Sequence, residues 1–596
     1  MSFIKTPGGG AIRPLASYIT LEGSRKALSV LEQYNLWLTK ATDADNNSEL
    51  VSIKDDSEAI NDRFFKSLAF GTGGLRGVIG AGTNRMNIYT VGLAAQALAV
   101  WVQNNGGGTV AIGYDSRIKS DIFARATACV LAVNGVKAYI YKELEPTPCI
   151  SFAVRALGCR SGVVITASHN PSKYNGFKCY GPDGYQMTDD DAHDVEHIMA
   201  GLDIFDDVKR GDFDALMAEG KIEYISDEVM DDFIKNVYSA SVHPEVFKKA
   251  NLKLIYTPLC GTGNKPVRRI LKTAGIEDVT VVSEQELPNG NFPRCPYPNP
   301  EIRQAFDAAL ELAQSVPADL LLATDPDCDR VGIAVRDRNG EYQLMSGNEV
   351  GAMLLNYLLT ERTAMGTMPE KPVAVKTIVT SALAERIAEK YGCELRNVLT
   401  GFKYIGEIVT ELERNGQTDR FIMGYEESYG YLVGAHARDK DAVVASMMIV
   451  EMASFYKLQD RNLLEVMDEL YKTYGYFINR LVSGEFEGEA GMKRIAAIMD
   501  GLRANAPASV AGSKVIMTRD YQLSVEKDLV TGAEKTLTLP KSNVLEFILE
   551  DGCSFIARPS GTEPKIKYYL TAVASTRDAA EKRVSEIADA VAELVK

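Results

Sequence analysis

TVAIGYDSR, residues 109–117, runs on into FARATACVLAVNG, 123–135, and VKAYIY, 136–141. A β-rich run passes through a loop into a segment with helical spacing. Gly135 stops that segment and a second apolar run follows, which makes a βαβ unit. The pattern returns twice. LKLIYTPLCGTG (252–263), KPVRRILKTAG (265–275) and VTVV (279–282) form one copy, and VAVKTIVTS (373–381), ALAERIAEKYG (382–392) and a short strand near Leu395 form the other. The fold class is therefore α/β: three similar α/β domains with mixed sheets. From about residue 476 the sequence changes to alternating segments such as KVIMTRD and a closing helix over 577–596, predicting a C-terminal α+β domain. The expected parts are a polar, partly helical extension over 1–65 and domains over 66–245, 246–370, 371–475 and 476–596, arranged around a central cleft. A length of 596 residues agrees with about 150 residues per domain.

Composition narrows the function. Apolar residues make up 46% and charged residues 24%, ordinary values for globular domains. The net charge of −15 argues against nucleic acid, whose partners carry basic faces, and leaves room for local anion pockets. No apolar run has the length of a signal peptide core or a membrane span. Nine scattered cysteines without a C-x-x-C pair fit reduced thiols, so a cytoplasmic protein is expected, monomer or homodimer, with no membrane partner.

Ligands of open α/β sheets bind beyond the carboxyl ends of the strands. If GVVITAS is a strand, Ser168 in TASHNP (166–171) stands at such an end. It can be a turn residue, a nucleophile or a phosphate carrier. The hydrolase elbow G-x-S-x-G is absent, and His169 is not expected to reach its own neighbour's hydroxyl. A phosphate carrier needs a cation. ATDPDCDRVG (323–332) offers Asp325, Asp327 and Asp329, hard oxygen ligands suited to Mg²⁺ in a curled loop, with Arg330 to balance their charge. RPSGTEPKIKYY (558–569) concentrates anion donors, and GYEESYG (424–430) sets Glu426 and Ser428 on an extended segment as a clamp for sugar hydroxyls. FGTGGLRGVIGAG (70–82) reads as a glycine-rich loop. HDVEH (193–197) lies in an acidic helical stretch and reads as a solvated face rather than a zinc site. No GK[ST] occurs, which excludes a Walker-type nucleotide site.

TASHNPSKYNGFKCYGPDGYQ, DPDCDR, GYEESYG and RPSGTEPK, in this order, resemble the four signature loops of the α-D-phosphohexomutases; GTGGLRG, YDSR and TGFKYIG (400–406) fit as well. The resemblance spans roughly 65–575 and leans towards the long branch of the family. It implies that Ser168 is a phosphoserine and that Asp325, Asp327, Asp329 and Ser168 hold Mg²⁺. Arg76, His169 and Lys178 would form the acid/base region, Lys178 with a depressed pKa. Lys403, Glu426, Ser428, His436, Arg438 and Lys440 would contact sugar or phosphate. Arg558, Ser560, Gly561, Thr562 and Lys565 would clamp the non-transferring phosphate. The implied reaction interconverts the 1- and 6-phosphates of glucose, with glucose 1,6-bisphosphate as intermediate and activator. Pentose or mannose phosphates, or synthesis of the bisphosphate, are the alternatives. A regulator without catalysis would show damage at Ser168 or the aspartates, and none is visible. Cys260 stands where a histidine is expected.

Overall fold

The computed structural model describes residues 28–71, 73–486, 488–559 and 565–594. The chain divides into two compact units: the described residues up to Ser67 with Ala81–Asn84, and the rest. In the first unit three helices, Val30–Lys40, Ala44–Ser52 and Ser57–Phe64, start at Ser29, Asp43 and Asp56, whose side chains accept helix N–H groups. Tyr34, Trp37, Leu50, Ile60 and Phe64 are buried, and the Tyr34 hydroxyl donates to Leu50 O at 2.8 Å.

Among the described residues the second unit holds four sheets, and the first three repeat one plan. In the first, Thr109–Tyr114 is flanked by the parallel strands Lys137–Ile140 and Ser161–Ile165, and Tyr174–Tyr180 adds antiparallel to the latter. In the second, Leu254–Thr257 lies between the parallel strands Val279–Val281 and Leu320–Thr324, with Val331–Arg336 antiparallel beyond. In the third, Val373–Thr377 lies between the parallel strands Glu394–Val398 and Phe421–Glu426, with Gly430–Val433 antiparallel beyond. The inner strands SGVVI, LLLAT and VAVKT are buried along their whole length, as strands covered on both faces must be. The mixed sheets and the three βαβ copies are as the sequence predicts. The stretch 70–82 is not a loop throughout: Gly74–Val78 is a strand, paired antiparallel with Tyr174–Tyr180 at the sheet edge. Its glycines admit that pairing, since a Cβ on Gly74 would lie 1.9 Å from Phe177 O.

The repeat has one consequence for function. In each sheet the turn between the third parallel strand and its antiparallel neighbour contains a non-glycine residue at positive φ: Ser168 at 51°, Cys328 at 51° and Tyr429 at 65°. These turns are the serine, aspartate and glutamate segments singled out from sequence.

One apolar core joins the three sheets through the helix Ala442–Lys457, whose Val443, Val444, Met447, Met448 and Ile449 are fully buried. The fourth sheet is antiparallel and packs the helices Gly488–Ala504 and Arg577–Leu594 through Met499, Val584 and Ile587. It meets the third sheet's domain in a smaller cluster, Val379 and Leu399 against Tyr521, Val544, Ile556 and Tyr569. Among the described residues no helix is long and apolar enough to cross a membrane.

Gly176 lets the strand Tyr174–Tyr180 lie against the serine turn. A Cβ there would be 2.4 Å from Thr166 O and 2.9 Å from Leu75 O, both backbone. Gly176→Ala is expected to destabilise the protein by about 1–3 kcal/mol, the usual cost of overpacking, read as a lower denaturant midpoint with an unchanged slope.

Candidate active site

Asp325 closes the aspartate loop on itself. Its Oδ1 accepts the N–H groups of Asp329 and Arg330 at 3.1 and 3.0 Å, which curls the chain and turns the three carboxylates inward. One oxygen from each of Asp325, Asp327 and Asp329 then lies within 4.8 Å of the others, and all three side chains are buried. Asp327 Oδ1 and Asp329 Oδ1 have no hydrogen-bond partner. Buried, orphaned carboxylate oxygens facing one another are what a hard divalent cation satisfies, so the residues fit a magnesium ion. Burial and the neighbouring Asp327 and Asp329 push Asp325 well above the ordinary carboxylate range. Burial would raise Asp327 too, but Lys178 and hydrogen bonds from Asp325 and Thr147 hold it below that range.

Ser168 meets this loop directly. Its Oγ donates to Asp325 Oδ2 at 2.8 Å, and its N–H donates to Thr166 Oγ1 at 2.8 Å; that hydroxyl in turn donates to Asp115 Oδ2 at 2.6 Å. The hydroxyl of the serine turn and the carboxylates of the next domain thus meet directly. His169 Nδ1 lies 3.2 Å from Ser168 Oγ, against the expectation that these neighbours do not meet; the positive φ of Ser168 folds the chain enough to bring them together. Burial and the nearby Arg330 and Arg76 guanidiniums hold the His169 imidazole well below its ordinary pKa.

Lys178 Nζ lies 2.8 Å from Asp327 Oδ2 and 3.4 Å from Asp329 Oδ2. The expected depression of its pKa is corrected: burial pulls the ammonium down, but the two aspartates outweigh it, and the net shift is upward. Arg76, exposed on the strand Gly74–Val78, pairs in register with Gly176, and its charge reaches His169 and Arg117. Arg330 pairs with Glu301 and approaches Asp329 at 3.8 Å.

The glutamate turn joins from the third domain. Glu426 ends the strand Phe421–Glu426 and accepts Gly401 N–H at 3.0 Å. Ser428 is not on an extended segment: it lies in the three-residue turn before Gly430–Val433, because the strand reverses there. Lys440 Nζ bridges Asp329 at 3.3 Å and Asp439 at 3.2 Å, and its pKa is raised by Asp329, Asp439 and Glu426 against the pull of burial. Lys403 is nearly buried and paired with Asp189 at 2.6 Å.

Two expected ligand contacts are corrected. Arg438 is fully buried, and its guanidinium is taken up by Ala435 O, Ala437 O, Thr410 Oγ1 and Glu413. His436 Nε2 lies 2.7 Å from Asp441 Oδ2, the residue that caps the buried helix Ala442–Lys457. Both brace the fold, and neither side chain is presented to a ligand.

In the fourth domain Ser560, Gly561 and Thr562 lie outside the described residues. The strands on either side of that segment set Arg558 directly opposite Lys567. Like charges in that position repel, and burial with Arg558 lowers the Lys567 pKa; a dianion between them would relieve both. Lys565 pairs with Glu485 at 3.2 Å. The alternation in KIKYY could have singled out Lys567. Thr147 carried no sequence signal, yet its Oγ1 donates to Asp327 Oδ2 and its N–H to Asp327 O, each at 2.9 Å. Cys260 is buried beside Gln285, and burial pushes its thiol up to about 11. His193 and His197 are exposed, and among the described residues only the aspartate triad could hold a metal.

Comparison with known proteins agrees with this geometry. Residues 67–203, 231–340 and 346–474 match α/β/α domains I, II and III of the phosphoglucomutase/phosphomannomutase family. A phosphoglucomutase of Staphylococcus saprophyticus is 38% identical over 519 residues, 86% of this chain and 92% of that one. A phosphoglucomutase of Staphylococcus aureus is 36% identical over 547 residues, 90% and 95% of the two chains. The solved structure of a family protein from Burkholderia thailandensis has a TM-score of 0.62 at 17% identity, covering 89% of this chain and 97% of its own. That of the Paramecium phosphoglucomutase parafusin has a TM-score of 0.64 at 15% identity, covering 89% and 95%. Serine turn, aspartate triad and glutamate turn thus stand on the domains that the family defines, and the chain belongs to the phosphoglucomutase/phosphomannomutase family of phosphohexomutases, enzymes that move a phosphoryl group within a sugar phosphate.

Proposed function

We propose that this enzyme interconverts α-D-glucose 1-phosphate and glucose 6-phosphate through a phosphoserine at Ser168 and a glucose 1,6-bisphosphate intermediate. The observation that carries this reading is the placement of Ser168 Oγ 2.8 Å from Asp325 Oδ2, at the edge of a buried carboxylate triad. A phosphoryl group on that oxygen would lie against the triad. The names of the staphylococcal relatives favour glucose as the sugar.

A sugar hydroxyl oxygen attacks the phosphorus of phosphoserine 168, the bond from phosphorus to Ser168 Oγ breaks, and the sugar becomes a bisphosphate. The hydroxyl proton is taken up in the basic region of Arg76, His169 and Lys178, where the His169 imidazole is the group held neutral, and is passed to the departing Ser168 Oγ, 3.2 Å from His169 Nδ1. The bisphosphate turns over in the cleft. Ser168 Oγ then attacks the phosphorus at the other end of the sugar, its proton passes to the same base and on to the sugar oxygen as the bond from phosphorus to that oxygen breaks, and phosphoserine is restored. Asp325, Asp327 and Asp329 would hold a magnesium ion, which supplies positive charge against the phosphoryl oxygens. Lys178 and Lys440 keep the carboxylates of that loop in place. Glu426, Ser428 and Lys403 orient the sugar, and Arg558, Lys565 and Lys567 meet the phosphate that stays. Both orientations of one bisphosphate use the same contacts, so positioning does most of the work.

Phosphorus NMR tests the reading. The protein with Mg²⁺ is given glucose, mannose or ribose 1-phosphate in separate tubes, each with a trace of the matching bisphosphate. Rapid conversion of the glucose ester is expected; faster conversion of mannose or ribose would change the sugar and keep the mechanism. No conversion in any tube would overturn the enzyme reading. Ser168→Ala is expected to lower turnover at least about 1,000-fold with sugar-phosphate binding by calorimetry little changed. Thr147→Val removes a hydrogen bond from Asp327, and calorimetric titration is expected to show Mg²⁺ affinity reduced about 10-fold, as for other outer partners of metal ligands.

A further inference from the structure

We propose that Arg117 is the positioning residue that aims Ser168 at the aspartate triad. It acts on phosphoryl transfer and leaves sugar binding alone. Arg117 lies just beyond the strand Thr109–Tyr114 and is 2% exposed. Its Nη1 donates to Pro171 O and Tyr174 O, each at 3.0 Å. Its Nη2 donates to Ser168 O at 2.5 Å and to Asn170 O. One guanidinium therefore ties down three carbonyls of the turn that carries Ser168 and the first carbonyl of the strand that follows it. Its Nε lies 3.4 Å from Asp115 Oδ2, the same carboxylate oxygen that accepts the Thr166 hydroxyl. The face of the guanidinium is covered by the Phe292 ring of the second domain at 5.1 Å. Gly290 in the same loop approaches so closely that a Cβ would lie 2.5 Å from Ile118 N.

Between Ile165 and Tyr174 the chain leaves its sheet, and its inward carbonyls lose their strand partners. Carbonyls shielded from water are costly to leave unpaired, and a planar fork with several N–H groups can meet four of them at once, Ser168 O in the buried interior and the others at its margin. The fork holds the turn in the shape that puts Ser168 at φ 51° and its Oγ against Asp325. Arg117 presents no N–H to a ligand: Nη1 and Nη2 are spent on carbonyls, and Nε, which makes no hydrogen bond, is buried against Asp115 Oδ2 at 3.4 Å. Its effect must pass through the position of Ser168. A shift of that hydroxyl by about 1 Å is enough to cost about 100-fold in rate.

This inference rests on the phosphoserine reading, and the test separates the two. Purified full-length wild type, Arg117→Met and Arg117→Lys are compared by steady-state kinetics with glucose 1-phosphate and Mg²⁺. The rate of Ser168 phosphorylation by glucose 1,6-bisphosphate is followed by phosphorus NMR. Arg117→Met is expected to lower kcat about 100-fold, to leave KM for the sugar phosphate within about twofold, and to slow phosphorylation of Ser168 by the same factor as kcat. Arg117→Lys, which keeps the charge and can meet some of the carbonyls, should recover part of both. A merely structural role would lower the melting temperature and leave kcat per folded molecule and the phosphorylation rate alone; that result overturns the proposal. If Arg117→Met does not fold, Arg117→Lys is read in the same way, and wild-type values for its kcat and phosphorylation rate overturn the proposal. Wild type that takes no phosphate on Ser168 overturns the phosphoserine reading and this inference together.

Discussion

The carboxylate of Asp325 is the joint on which the site depends. One of its oxygens accepts two N–H groups of its own loop, and the other accepts the hydroxyl of Ser168 from the neighbouring domain. Without the first pair of bonds Asp327 and Asp329 would not turn inward together. Without the second, the serine turn and the metal loop would be two unrelated surface features. Such a carboxylate is buried at some expense, and the loop's own backbone donors, with the charge of Arg330 and the hydroxyl of Ser168, offset it.

Around that joint, charges alternate from one domain to the next. Lys178 of the first domain reaches Asp327 and Asp329 of the second; Lys440 of the third reaches Asp329 and Asp439; the Tyr180 hydroxyl of the first donates to Asp439 at 2.7 Å. Three domains are thus bound into one frame by groups gathered on and beside the aspartate loop. The fourth domain contributes differently. Its facing Arg558 and Lys567 make a patch of positive potential in a chain whose net charge is −15, a local exception suited to a doubly charged phosphate.

The three βαβ copies, the aspartate triad and the serine turn were legible because each is local. A βαβ unit spells itself out in consecutive residues, and DPDCDR carries all its carboxylates within one loop. What lay across domains was not legible. The shift at Lys178 depends on Asp327 and Asp329, about 150 residues away in sequence. Thr147 is a lone threonine before a proline, and nothing near it announces Asp327. HARDKD reads as a row of ligand contacts, yet of its basic groups only Lys440 reaches the aspartate loop, because His436 and Arg438 are taken up by Asp441 and Glu413. Adjacency in sequence said which residues were near the site and not which way each one pointed. FGTGGLRG shows the opposite error: its glycines suggested a loop, while in the fold they let an edge strand lie close to its neighbour.

The three functional turns share a further trait. Each is closed by a residue that bears a side chain, Ser168, Cys328 or Tyr429, in a backbone region where glycine would sit without strain. Such residues cost of order 1–3 kcal/mol apiece and persist only where the surroundings dictate them. The turns are accordingly stiff fixtures: their shape is imposed by the sheets beneath and by the side chains that tie them, Arg117 for the serine turn and Asp325 for the aspartate loop, and a guest molecule has little power to remould it. Adaptation to the two ends of a substrate would then have to come from reorientation of the substrate itself and from movement of the fourth sheet, and the rest of the cleft would serve as a fixed jig.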